Sequence, residues 1–175
     1  MGIRWNERPV EMALTPLPRE ALAGPLDVWI APVAESAVLA HLGEHDEEQG
    51  GLLIGDAWAA PGGALAHIRI LTAIAAVDGA GTAVSLVMPP SVWDAARQRL
   101  GPGQRIIGWY HSHPGLTAFF SDTDRRTQRA VFHHPWSVGW VIDPLAPGPR
   151  GREALFAGPA SEPVPRRSMP RWTAD

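Results

Sequence analysis

The stretch Gly108-Trp109-Tyr110-His111-Ser112-His113-Pro114 decides how this chain is read. Gln104 to His113 contains the apolar run Ile106 to Tyr110, with Gly101-Pro102-Gly103 before it and Pro114 after, the pattern of a buried strand that runs out into a loop. Alternate side chains of a strand share a face, so His111 and His113 stand on one side about 6.6 Å apart, close enough for both rings to reach one metal ion. Histidine with carboxylate is a common ligand set for catalytic zinc. Alternating histidines also occur on the solvent face of a strand, and the pair alone leaves both readings open.

Downstream, Ser121 to Phe132 reads as a helix that opens on Ser121-Asp122-Thr123-Asp124. Ser-x-x-Asp is what a helix N-terminus uses to satisfy its own backbone donors, and acids favour the first turn. A carboxylate at a helix start, a short loop after two strand histidines, can equally complete a three-ligand site whose fourth position is left to water.

Working outward, a strand is expected over Asp27 to Ala31 and a helix over Pro32 to Leu42, where Val33, Ala37, Val38 and Leu42 recur at helical spacing behind a proline tolerated in the first turn. Gln49 to Trp58 and Leu65 to Val77 read as a hairpin around Pro61-Gly62-Gly63. Val84 to Met88 reads as a further strand and Pro90 to Leu100 as a helix stopped by Gly101. Trp136 to Ile142 is a strand ending at Asp143-Pro144, and Leu155 and Phe156 are placed to close the sheet. Residues 1–25 read as an irregular N-terminal arm, 26–157 as the folded domain, and 158–175 as a Pro-rich, disordered tail.

Composition bounds the function. A chain of 175 residues suits one domain, which buries roughly 70% of its unfolded surface. The formal net charge of -3 supplies no electrostatic footprint for nucleic acid or anionic membrane. No apolar run approaches the roughly 20 residues that span a bilayer, and the opening MGIRWNERPVEM lacks a signal-peptide core, so a cytoplasmic location is expected. Cysteine is absent, which removes disulfides, thiolate ligands and a cysteine-protease mechanism. Lysine is absent too, and all fifteen basic side chains are Arg. This Arg-only, Ala-, Gly- and Pro-rich usage points to a GC-rich, bacterial genome.

Taken whole, His111-Ser112-His113-Pro114 followed by Ser121 and Asp124 resembles the metal-binding signature of the JAMM (MPN-plus) zinc metallopeptidases. Gly115-Leu116-Thr117-Ala118-Phe119-Phe120-Ser121 and Thr127 look like the corresponding loop of the AMSH-type ubiquitin isopeptidases, and Val141-Ile142-Asp143-Pro144 like another family element. The family sets an upstream acid in a Glu-x-x-Gly-x-x-x-Gly context, matched here from Glu48 through Gly51 to Gly55. That register alone selects Glu48 over Glu44, Asp46 and Glu47, which otherwise read as a solvated acidic turn. The resemblance covers about Asp27 to Phe156 and implies an α/β fold of the α+β, cytidine-deaminase-like kind, a single domain with a mixed central sheet flanked by helices.

The resemblance implies zinc held by His111, His113 and Asp124, Glu48 as the base acting on a water at the metal, and Ser121 as the electrophilic helper at the carbonyl oxygen. It implies a ubiquitin-like protein, or its conjugates, as partner and substrate, cleaved after its C-terminal tail in deconjugation or precursor processing. A bacterial conjugation or antiphage operon is the expected setting. Two alternatives stay open: a sulfur-carrier or cofactor-pathway hydrolase that trims a ubiquitin-like carrier, and a non-catalytic scaffold module. His133-His134 ends a helix, where the dipole favours His, and His41, His45 and His67 are not at metal-ligand spacing; none is assigned to the site. Trp109 and Phe119 flank the site as candidate walls of a groove for the tail.

Overall fold

A computed structural model describes residues 26–43, 47–59, 64–77, 88–148 and 151–169. The N-terminal arm, the Pro61-Gly62-Gly63 turn, residues 84–87 of the strand expected to end at Met88, and Trp172 lie outside these residues. Eight strands form one mixed sheet in the order β7-β6-β5-β4-β2-β3-β1-β8. They are β1 (Asp27–Ile30), β2 (Gly50–Ala59), β3 (Leu65–Ala75), β4 (Arg105–Ser112), β5 (Val138–Ile142), β6 (Glu153–Ala157), β7 (Glu162–Pro163) and β8 (Arg166–Ser168). Among the described residues three helices accompany them: α1 (Pro32–Leu42), α2 (Pro90–Gln98) and α3 (Asp122–Val131). Each element expected within the described part of 26–157 is present, with ends moved by a few residues. This is the mixed sheet flanked by helices, in a single domain, that the motif resemblance implied.

The sheet separates two apolar clusters. One face gathers Val28, Ile30, Leu53, Ile68, Ile70, Tyr110 and Trp140 around Ala34, Val38 and Leu42 of α1. The other packs Leu52, Ile54, Trp109, Phe120 and Val141 against Val92 and Ala96 of α2 and against Phe132 just beyond α3. A register shift between β2 and β4 lies where Leu53 faces Gly108 and Ile54 faces Ile106, so Ile107 is the extra residue of a bulge. Ile107 joins the first cluster. Beyond the bulge the period of two resumes with Trp109 on the second face and Tyr110 on the first.

Within the described residues, 158–169 differ from the irregular tail expected of their composition. β7 pairs with β6 at one outer edge of the sheet and β8 pairs in parallel with β1 at the other, with only Val164 and Pro165 between them. Three residue steps span at most about 10 Å, so the sheet is curled until its edges nearly meet and this strap joins them. Val28 N–H donates to Pro165 O, Val164 N–H to Leu155 O and Met169 N–H to Ile30 O, each at 3.0 Å. Arg166 pairs with Glu35 of α1 and, at 3.1 Å, with Glu153 of β6, while Arg167 reaches buried Asp27 at 3.2 Å. Proline is tolerated on such edges because its missing N–H faces away from the ladder. Strands of two and three residues leave no periodicity for a sequence to display.

No helix among the described residues is long and apolar enough to cross a membrane.

Candidate metal centre

β4 and β5 are parallel neighbours joined through α3, and the ligand-bearing side chains collect beyond their carboxyl ends, where open α/β sheets hold their ligands. His111 stands one residue before the end of β4, in register with Val141, and His113 continues the line, its N–H donating to Ile142 O at 2.9 Å. Both imidazoles are buried, at 1% and 4% exposure. Ser112, between them, is engaged as well. Its Oγ accepts from Gln49 N–H at 3.0 Å, and its N–H donates to Gln49 O at 2.9 Å. This clamp fixes the chain next to Glu48 against the end of β4.

α3 supplies the third donor. Ser121 caps the helix, its Oγ accepting from Asp124 N–H at 3.2 Å, while Asp124 Oδ2 accepts from Ser121 N–H at 2.7 Å and from Ser121 Oγ–H at 2.6 Å. The capping box expected from Ser-x-x-Asp is therefore formed. It occupies one carboxylate oxygen and leaves the other turned inward: Asp124 Oδ1 lies 3.3 Å from His111 Nε2. Capping and metal ligation are compatible uses of one side chain.

The donor set fits a zinc ion. Ligand atoms of His111, His113 and Asp124 all lie within 4.8 Å of one another. His113 Nε2 stands 3.6 Å from Asp124 Oδ2. Two ligands about 2.0–2.1 Å from a tetrahedral zinc are about 3.4 Å apart, which the 3.3 Å between His111 Nε2 and the free Asp124 Oδ1 matches. Neither ring nitrogen of His111 has a hydrogen-bond partner among the described residues, although both are buried. Unpartnered buried polar atoms are costly, and a metal is one means of satisfying the inward nitrogen.

The protonation states suit the same use. Burial, reinforced by neighbouring His111, pushes the His113 imidazole below its usual range and so favours the neutral ring a metal requires. Burial acts to raise the Asp124 carboxyl, but the His111 ring and the Ser121 donors outweigh it and hold the group below its usual range. Asp124 is thus held as an anion beside the His113 ring that burial keeps neutral.

Glu48 is 8% exposed whereas Glu47 is exposed, and its Oε1 lies 3.7 Å from His113 Nε2. Burial first, and the Asp124 carboxylate second, raise its pKa to about 7 in the metal-free protein. A cation at the ligands would draw this value down again. Glu44 and Asp46 lie outside the described residues. The glycine register that singled out Glu48 has a steric basis. A Cβ on Gly51 would fall 2.1 Å from Ile74 O and 2.7 Å from the Tyr110 ring, and one on Gly55 would fall 1.8 Å from Arg69 O.

Three supporting residues carried no signal as single letters. Gln128, fully buried in α3, accepts from the Trp109 indole at 2.8 Å. Asp143 ties down the loop between His113 and Ser121. Gly139 has no room for a side chain, because a Cβ there would sit 2.1 Å from Phe120 Cζ. Trp109 itself departs from expectation: it is 4% exposed and stacks on His111 with centroids 4.4 Å apart, so it backs the metal site and cannot wall a substrate groove. Phe119, 45% exposed and 4.9 Å from the His113 ring, keeps an open position beside the site.

A curled mixed sheet carrying a buried His, His, Asp cluster at the carboxyl ends of its parallel strands defines an α/β domain with a group that could hold a metal ion. The chain belongs to the JAB family: the family of prokaryotic homologs of the JAB domain matches residues 31–153. Among curated proteins it is 32% identical over 105 residues to the 26S proteasome regulatory subunit RPN11 of Eremothecium gossypii, covering 56% of this chain and 33% of that one. It is 33% identical over 75 residues to the ubiquitin carboxyl-terminal hydrolase RPN11 of Saccharomyces cerevisiae, covering 40% and 24%. A shorter match, 44% identical over 50 residues, is to the NAD(+) hydrolase TcpA of Theionarchaea archaeon, covering 28% of this chain and 15% of that one. The matches thus span a third or less of these relatives' own lengths.

Proposed function

We propose that this protein is a zinc-dependent isopeptidase or peptidase that cleaves after the C-terminal tail of a ubiquitin-like protein. The observation that carries the reading is the convergence of His111, His113 and Asp124 with a buried glutamate at their side. The likeness to a ubiquitin carboxyl-terminal hydrolase supports the substrate class. Of the NAD(+) hydrolase too little is matched to carry its named activity across. The prokaryotic family and the lysine-free composition support a bacterial setting, such as a small conjugation or antiphage operon.

In this reading His111, His113 and Asp124 hold the ion. Zinc, when bound, acts as a Lewis acid and brings the pKa of a coordinated water to about 7. Glu48 takes the proton of the attacking water on its carboxylate and returns it to the departing amine, without which an amide does not leave. Ser121 has a single hydroxyl proton, given to Asp124 Oδ2 in this structure. To serve as the electrophilic helper it turns that proton to the substrate carbonyl, while its backbone N–H continues to hold Asp124.

The test is incubation of the purified protein with ubiquitin-like proteins linked through peptide or isopeptide bonds, with and without a chelator. Cleavage after the tail that stops with chelator and returns with zinc is expected. Cleavage indifferent to chelator, or no cleavage of any such substrate by zinc-loaded protein, removes the proposal.

A further inference from the structure

We propose that Asp143 is a positioning residue that sets the path of the chain from the histidine ligands to Ser121 and Asp124. Asp143 follows β5, is 2% exposed, and spends its carboxylate on main-chain donors. Oδ1 accepts from Gly115 N–H at 2.8 Å and from Leu145 N–H at 2.9 Å, and Oδ2 accepts from Thr117 N–H at 3.0 Å. Burial acts to raise its pKa, yet these backbone donors hold it below the usual range.

The conformation it holds is one the chain does not choose unaided. Thr117 has φ 67°, and a β-branched residue in the left-handed region is disfavoured because its Cβ crowds the backbone. Gly115, at φ 73°, is suited to that region and Thr117 is not. The ends of the segment are fixed independently. His113 is still paired to β5, and Phe120 is 5% exposed, stacked on Phe156 and fitted into the space left by Gly139. Between these anchors Asp143 pins the middle, with further ties from Leu116 N–H to His113 O at 3.1 Å and from Ala118 N–H to Gly151 O at 2.8 Å. Without the carboxylate, residues 115–118 lose two anchors, and Thr117 loses the bond that offsets its backbone strain. The slack falls on the few residues that set where Ser121 and Asp124 stand relative to His111 and His113. Asp143 touches no ligand atom; it acts on the ligand set through the backbone.

This inference rests on the proposed metal centre, and its test separates the two. Zinc affinity is measured for the wild type, Asp143→Ala, Asp143→Asn, Asp143→Ala with Thr117→Gly, and a control, Asp56→Ala. The control breaks the Asp56–Arg69 pair toward the far end of β2 from Glu48. Removing supports behind a metal site lowers affinity or activity by about 10–100-fold. Asp143→Ala is expected to weaken zinc by that order and to lower kcat more than it changes KM. Asp56→Ala should lower Tm and leave affinity intact. Thr117→Gly should restore part of the loss, since glycine adopts the left-handed turn without help. Asp143→Asn, which keeps one acceptor oxygen, should fall between and covers the case in which the alanine variant does not fold.

Wild-type affinity in both Asp143 variants overturns the proposal, as does a loss that merely tracks Tm alongside Asp56→Ala. If the wild type binds no zinc, the metal centre has failed instead. Amide exchange in zinc-free protein then decides the loop claim: faster exchange at Gly115 and Thr117 in the Asp143 variants supports it, and unchanged exchange overturns it.

Discussion

Trp109 donates its indole N–H to Gln128 Oε1 at 2.8 Å, and the ring so held lies 4.4 Å from the imidazole of His111 and 9° from parallel to it. Gln128 in turn donates to Ser137 O and Gly158 O at 3.2 and 3.3 Å. One buried amide thus fixes the flat surface against which the proposed ligand His111 rests. Gln128→Leu strands the indole donor, at about 1–3 kcal/mol for a buried group left unsatisfied, while Ser137 O and Gly158 O keep the N–H of Gly158 and of Ser161. It should lower Tm and weaken zinc about tenfold by freeing the His111 ring. Zinc titration against a chelator with parallel thermal melts checks this; a variant with wild-type affinity would show that Trp109 needs no orienting partner.

Glu48 is raised from an ordinary 4.5 to about 7 by burial and then by Asp124, so the metal-free folded state binds a proton that the unfolded chain has released. Unfolding free energy therefore falls as pH rises from about 4.5 to about 7, and the penalty is fully present above that. Glu48→Gln removes the ionisation and should stabilise zinc-free protein at pH 8 by on the order of 1 kcal/mol, or about 2–4 °C in Tm. It should make no comparable gain at pH 4. The same variant should hold zinc and lose turnover. Melts of chelated protein at the two pH values test the sign, and equal shifts at both would mean that ionisation of Glu48 is not the cause.

His111 and His113 were legible because a strand's period of two reports shared facing directly. Glu48 was legible only through glycines at 51 and 55, positions whose missing side chains leave room for Ile74 O, Tyr110 and Arg69 O. Asp124 carried two meanings in the sequence, and in the fold one of its oxygens caps α3 while the other faces His111. Gln128 and Asp143 were illegible in their roles. A glutamine within a helix and an aspartate before a proline are commonplace, and their partners are distant main-chain atoms or an indole that no spacing rule connects. The strap after Gly158 escaped for a related reason, since main-chain bonds and arginine pairs hold it with little apolar patterning.

Ser121 offers a way to separate capping from catalysis. Ser121→Ala deletes the bond to Asp124 N–H and the hydroxyl bond to Asp124 Oδ2, but retains the backbone donor to the same oxygen. Loss of the cap costs about 1 kcal/mol of stability. Loss of a donor to the developing oxyanion costs about 10²–10³ in kcat. The variant is expected to keep zinc, melt a few degrees lower and lose that much turnover. Ser121→Gly, a milder change for the cap, should recover stability without recovering rate. Recovery of both together would assign Ser121 to the helix alone.

The strap makes the sharpest claim about stability. Cutting the chain after Gly158 removes Pro165 O, Val164 N–H and Met169 N–H from the edges of β1 and β6, and leaves buried Asp27 without Arg167 and Glu153 without Arg166. It also uncovers the cluster against which Val164 and Met169 pack. Newly open strand edges recruit other chains, so the truncated protein should lose Tm by more than about 10 °C, the order set by several lost buried bonds, and should aggregate on warming. Arg166→Ala, which breaks only the pairs to Glu35 and Glu153, should cost much less because those groups remain partly exposed. Thermal melts with light scattering read both variants. A truncated chain that stays monomeric and melts within about 2 °C of the full one would show that β7 and β8 merely rest on the sheet, and that the curl closes without them.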